Sequence, residues 1–215
     1  MAITPETTTR KTYKILMYGA PKSGKTQTAA QFPKVLIAQD AAAQGAAFIE
    51  QPRITLQTVD DLVSLAADWS RKHPYSTLVL DDFSAMVKRW AAMTGEKTEL
   101  RAYANIMRDV VPSLQTIMRQ PFNVIYTCHH KVDTEVDPTT RKDRPFIHPN
   151  LPPALDTFVR GSVDVVAYVY VNGSHKAMLR EMATDKARIT AGVRSGLPLS
   201  GDTIALAQFA KELTK

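Results

Sequence analysis

Gly19-Ala20-Pro21-Lys22-Ser23-Gly24-Lys25-Thr26 is the stretch from which the fold can be read. It satisfies G-x-x-x-x-G-K-[ST] in full. Glycines let the backbone curl so that successive N–H groups converge on phosphate oxygens. The Lys25 ammonium is placed to reach the β and γ phosphates, and the Thr26 hydroxyl to hold Mg²⁺. A helix starting near Lys25 would add the positive end of its dipole. With Gln27, these residues form the expected nucleotide-contacting set. The context agrees. The apolar run Tyr13-Lys14-Ile15-Leu16-Met17-Tyr18 reads as a buried strand, and a helix is expected from Lys25 to about Gln31, ending near Pro33. A glycine turn arising by chance would lack that strand–loop–helix setting.

Such a loop needs a carboxylate at the end of a buried strand to hold the metal through water. Thr77-Leu78-Val79-Leu80-Asp81 supplies it, so Asp81 is the metal-side partner of Thr26. Asp82 reads in two ways: as N-cap of the helix carrying Met86, Val87 and Trp90, or as a residue acting on water. Asp40 and Gln39, after the strand Val35-Leu36-Ile37-Ala38, are further candidates for that second task. Asn123 to Thr127 is another buried strand, running into Cys128-His129-His130. Ligands of open α/β sheets collect at carboxyl ends of strands, so Thr127 or His129 could sense the γ-phosphate. The competing reading is a pair of ordinary loop histidines. Zinc bound by Cys128, His129, His130 and His148 is disfavoured, since spaced ligand pairs are absent.

Farther out, Thr58-Val59-Asp60-Asp61 resembles a capping box ahead of a helical face formed by Leu62, Leu65, Ala66 and Trp69. Leu100 to Met118 recurs at helical spacing, with Pro112 expected to kink or divide the helix. Residues 131–153, rich in proline and lacking an apolar period, read as a long exposed loop. Val163 to Val171 and Ala177 to Met182 flank Asn172-Gly173 as a hairpin with a primed turn. Thr203 to Leu213 reads as a short amphipathic helix. The element after Asp40 is not legible. Residues 1–11 form a polar tail, and residues 12–215 form one domain. Alternating strands and helices predict a three-layer α/β fold, with a mostly parallel central sheet and a C-terminal antiparallel hairpin.

The 215 residues are 44% hydrophobic and 22% charged, an ordinary globular balance. No apolar run reaches the roughly 18 residues of a membrane span, so no membrane partner is expected. The start carries no secretory h-region. The single cysteine excludes an internal disulfide and suits a reducing cytoplasm. A net charge of +6 is compatible with a polyanionic partner without requiring one.

GAPKSGKT, the TLVLDD strand, the strand ending TCHH, and the DVVAYVYV hairpin followed by a basic segment together resemble phage-encoded, single-domain RecA-like P-loop ATPases. That group includes the Sak-type single-strand annealing proteins and related phage nucleotide-binding proteins. The resemblance implies an ATP-dependent, magnesium-requiring enzyme handling single-stranded DNA in phage recombination or replication, in the cytoplasm of an infected bacterium. It implies a homo-oligomeric ring or filament with ATP at subunit junctions, and admits a phage single-strand-binding protein as a further partner. A cation beyond the hairpin would reach the neighbour's γ-phosphate. Lys186, Arg188 and Arg194 occupy that region. The chain departs from the group in Gln39-Asp40-Ala41-Ala42-Ala43-Gln44-Gly45, where relatives carry a glutamate. Either Asp40 substitutes or hydrolysis is slow.

By the same resemblance, the segment from Lys131 to Pro153 matches a DNA-contacting loop. Lys131, Arg141, Lys142, Arg144 and Phe146 combine cations with a stacking ring, as single-strand binding requires. Asp133, Glu135, Asp137 and Asp143 offset those charges, so a solvated loop is the competing reading. Lys88, Arg89, Lys97, Arg101 and Arg108 form a second basic face. Besides a DNA-stimulated ATPase, a non-hydrolysing nucleotide switch and a small-molecule kinase remain open. The missing glutamate favours the switch, whereas no acceptor motif supports the kinase.

Overall fold

The apolar run ahead of the loop forms β1 (Lys14–Gly19), buried along its whole length. In the computed structural model, which describes residues 12–41, 48–69, 71 and 73–214, α1 (Lys25–Ala29) follows directly. Both the expected tail and most of the stretch after Asp40 lie outside the described residues. Next come β2 (Val35–Asp40), β3 (Arg53–Leu56) and α2 (Val59–Trp69). The capping box at the start of α2 is reciprocal: Asp61 N–H donates to Thr58 Oγ1 at 3.3 Å, and Thr58 N–H donates to Asp61 Oδ2 at 2.8 Å. The strand β4 (Thr77–Asp81) leads into α3 (Phe83–Met93), then α4 (Glu99–Arg119).

Pro112 does not divide α4. Proline removes one helical N–H and leaves the carbonyl four residues earlier unpaired. Here Arg108 and Pro112 both lie on the exposed face, where water can satisfy that carbonyl.

The long strand β5 (Asn123–Val136) and β6 (Asp143–Pro149) correct the expected loop over 131–153. They pair antiparallel from His130↔Pro149 to Val136↔Asp143. The segment does carry a period, of two rather than 3.6. Lys131, Asp133 and Glu135 alternate with Val132, Thr134 and Val136. After α5 (Pro153–Ser162) come β7 (Val165–Asn172) and β8 (Ser174–Met178). Their turn is not the expected primed one. Only Gly173, at φ 66°, takes positive φ, and Asn172 stays in the strand opposite Ser174. Short strands β9 (Met182–Ala183), β10 (Arg188–Ile189) and β11 (Gly192–Val193) precede β12 (Thr203–Ala205) and α6 (Leu206–Thr214). The expected terminal helix is thus shorter. Its first residues pair with β8 instead, from Thr203↔Met178 to Ala205↔Lys176.

The main sheet runs β12-β8-β7-β1-β5-β4-β2-β3, parallel from β7 through β3. Alternate residues of each strand feed two cores. Leu16, Tyr18, Leu78, Leu80 and Tyr126 pack under α2 to α5, whereas Ile15, Met17, Val79 and Ile125 pack against α1 and α6. With both faces covered, these strands read as unbroken apolar runs. The result is a three-layer α/β P-loop fold with its antiparallel hairpin at one edge. A smaller sheet, β5-β6-β10-β9, projects from the carboxyl end of β5. Among the described residues, no helix is long and apolar enough to cross a membrane.

Candidate nucleotide site

The phosphate loop is shaped by what lies beneath it. A Cβ on Gly19 would sit 2.1 Å from the carbonyl oxygen of Val169 on β7, so no side chain fits there. Gly24 has φ 96° and caps α1. A Cβ there would press within 3.2 Å of both His175 Nδ1 and Leu206 Cδ1. The α1 helix has five residues, shorter than the expected stretch from Lys25 to about Gln31. The Lys25 ammonium lies over the loop's own carbonyls, donating to Ala20 O at 2.7 Å and Gly19 O at 3.1 Å. Burial lowers its pKa, against an upward pull from the Asp82 and Asp81 carboxylates.

Asp81 ends β4 nearly fully buried. Its Oδ1 accepts the Thr26 hydroxyl at 2.7 Å and also the Thr127 hydroxyl. Burial raises its pKa in spite of those two bonds, since a desolvated carboxylate lacks sufficient countercharge. One hydroxyl and one carboxylate of hard oxygen, with room for water and phosphate oxygens, is the donor set that Mg²⁺ takes. The residues present therefore fit that ion, with Thr26 and Asp81 as its protein side.

Asp82 follows through a cis peptide bond. Both of its sequence readings meet in one side chain. Oδ1 caps α3, accepting Ser84 N–H at 3.1 Å and Ser84 Oγ at 2.5 Å, while Oδ2 lies 2.5 Å from His129 Nε2. Burial pushes its pKa up, but the bonds from His129 and Ser84 outweigh that and hold it below the usual carboxylate range. His129 is not a free loop residue. Its N–H donates to Ser84 Oγ at 2.9 Å, and its Nδ1 is buried without a partner. Burial, then the charges on Lys25 and His129, lower the pKa of neighbouring His130. Pro21, Lys22, Lys25, Thr26, Asp81 and His129 line a cleft of about 790 Å³, at the scale of a nucleotide. Phe48 and Ile49 also line it, and nothing in the sequence pattern had marked them.

Several expected residues are engaged elsewhere. Asp40 reaches the cleft, but its carboxylate binds Arg89 Nε at 2.8 Å, and Arg89 also holds Leu56 O at 2.6 Å. In this structure the Asp40 carboxylate is thus engaged by Arg89, and Arg89 is committed to that contact within the second basic face. Gln39 stands beside Asp81 in the sheet, its Oε1 buried without a partner. In the small sheet, Arg144 is buried between Glu135, at 2.7 Å, and Asp137, and donates to Thr184 O at 2.7 Å. Phe146 lies between the Arg188 guanidinium, at 5.0 Å, and the His148 ring, at 4.8 Å. Arg144 is corrected as a DNA contact, because its guanidinium is buried and paired, whereas Phe146 remains half-buried. Arg188 is engaged within its own chain, pairing with Glu181 at 2.6 Å and Glu135 at 3.2 Å. Arg194 pairs with Asp164 at 2.9 Å, and Lys131 with Asp133 at 2.8 Å. Arg141, Lys142 and Lys186 remain exposed. Cys128 is buried in the core, and no cluster of three metal-ligating side chains occurs among the described residues.

Comparison with known proteins agrees with this geometry. A family described as "AAA domain" matches residues 11–194. No curated protein matches the chain. Among solved structures, the flagellar accessory protein FlaH from Methanocaldococcus jannaschii is similar at 12% identity and a TM-score of 0.41, covering 77% of this chain and 76% of that one. That likeness is too distant to bear on function. A match across residues 11–194, a span that includes the phosphate loop and its buried aspartate, places this protein in the AAA domain family of P-loop nucleotide-binding proteins.

Proposed function

We propose that the protein hydrolyses ATP and that single-stranded DNA stimulates it, within an oligomer acting in phage recombination or replication. The observation that carries this reading is the placement of His129. It touches Asp82 at the cleft and continues directly into the projecting β5–β6 hairpin. Thr26 and Asp81 would hold magnesium, which would supply positive charge to offset that of the triphosphate. Lys25 turns from the loop carbonyls onto those phosphate oxygens. His129 leaves Asp82 Oδ2 for the γ-phosphate, and Asp82 then accepts the proton of the attacking water. The remaining hydroxide displaces ADP from the γ-phosphorus. Arg141 and Lys142 at the hairpin tip contact the DNA backbone, so strand binding and the posture of His129 are coupled.

A nucleotide switch is the second reading. The occupied carboxylates of Asp40 and Asp82 favour it, since neither is free to act on water in this state. Phosphate release measured with and without single-stranded DNA separates the two. Stimulation is expected. Release that DNA leaves unchanged would remove the DNA role, and absence of release with intact ATP binding would leave the switch.

A further inference from the structure

The β7–β8 hairpin grips the phosphate loop at both ends. At the start, Gly19 pairs with Val169, whose carbonyl oxygen occupies the space a Cβ would need. At the other end His175, on β8, places Nδ1 2.8 Å from the carbonyl oxygen of Ser23. A carbonyl only accepts, so Nδ1 carries the proton. The rest of the imidazole is exposed, and the ring takes no part in either hydrophobic core. Leu206, the first residue of α6, closes on Gly24 beside it, and Phe209 and Leu213 fix that helix in the core.

We infer that His175 is a positioning residue for the nucleotide: by holding the Ser23 carbonyl outward, it aims the Gly24 N–H into the phosphate cradle. The peptide unit joining Ser23 to Gly24 is planar, and in a trans unit C=O and N–H point in opposite directions. Anchoring one edge therefore orients the other. A hydrogen bond to the carbonyl also polarises the unit and makes its N–H a better donor. Gly24 would otherwise be the loosest point of the loop, because glycine has the widest choice of backbone conformations. The inference rests on nucleotide binding by the loop, not on the DNA role.

Three substitutions test it. His175→Ala removes the donor. His175→Asn restores an N–H at the δ position, whereas His175→Gln offers one only at ε. Calorimetric titration with Mg·ADP should show His175→Ala and His175→Gln weakened roughly threefold to tenfold, the loss of one net hydrogen bond, and His175→Asn within about twofold of the parent. In ATP turnover KM should rise while kcat stays within about twofold, since the contact serves ground and transition states alike. In the nucleotide-free protein, backbone hydrogen exchange over residues 19–26 should quicken in His175→Ala and recover in His175→Asn. Unchanged affinity in His175→Ala overturns the inference, and so does a His175→Asn variant as weak as His175→Ala. If the parent itself binds no nucleotide, the nucleotide reading fails. The exchange measurement then still judges the clamp, which falls if His175→Ala exchanges like the parent.

Discussion

Lys25 and Asp81 show how single residues carry the site's chemistry. The Lys25 ammonium is held by loop carbonyls at 2.7 and 3.1 Å, within reach of the phosphate position. Its replacement by alanine should weaken ATP binding on the order of tenfold to a hundredfold, the loss of a charge-assisted contact of about 1.5–3 kcal/mol. Unchanged affinity by calorimetry would show that phosphates bind elsewhere. Asp81→Asn is a gentler probe. An asparagine carbonyl can still accept the Thr26 and Thr127 hydroxyls that meet Asp81 Oδ1, so the fold should survive. It lacks the negative charge that favours a divalent cation. Nucleotide binding without magnesium should persist while the magnesium dependence of binding and turnover disappears. Parental hydrolysis with magnesium would take Asp81 out of the metal-side role.

At the scale of elements, the β5–β6 hairpin separates its charges by location. Asp133, Glu135 and Asp137 are consumed by Lys131, His148, Arg144 and Arg188 on the hairpin body. Arg141 and Lys142 stand exposed at the tip beside Asp143. The tip is therefore the part of the former loop prediction that can meet a polyanion. Replacing Arg141 and Lys142 together by alanine should lower the slope of log K against log salt for single-stranded DNA by about 0.7 per lost phosphate contact. A parental slope would assign those cations to solvent. The hairpin itself was readable, since charged and β-branched residues alternate from Lys131 to Val136. Proline content obscured it. Pro145 and Pro149 flank Phe146 and Ile147, the two residues of β6 that also pair with β10, so neither proline interrupts that second pairing.

For the whole molecule, the question is whether a second subunit completes the site. Arg188 is tied to Glu135, Glu181 and Phe146, and Arg194 to Asp164, which leaves Lys186 as the cation of that segment for which no ion pair is formed among the described residues. A cation supplied in trans acts only in the assembled state. Turnover per subunit should then rise with protein concentration, and Lys186→Ala should abolish that rise while nucleotide binding by the isolated subunit stays intact. Mixing Lys25→Ala subunits, which keep Lys186, with Lys186→Ala subunits, which keep a working loop, should restore activity. A mixture that co-assembles and remains inactive assigns Lys186 to ordinary solvated surface.

By itself, the sequence determined the phosphate loop, the buried aspartate that faces it and the layered parallel core. Those features are local: a glycine spacing, an apolar strand with a carboxylate at its end, and runs hydrophobic on both faces because helices cover both. Asp82 as a cap was legible for the same reason. What Asp82, Asp40, Arg144 and Arg188 touch was decided only by tertiary structure. Each carries a charge whose partner lies on another strand or helix, and hydrophobic periodicity contains no information about which charges become neighbours. The same holds for His175, separated from Ser23 by 152 positions. Its contact exists because β7 pairs with β1, and the turn after β7 then returns the chain beside the loop.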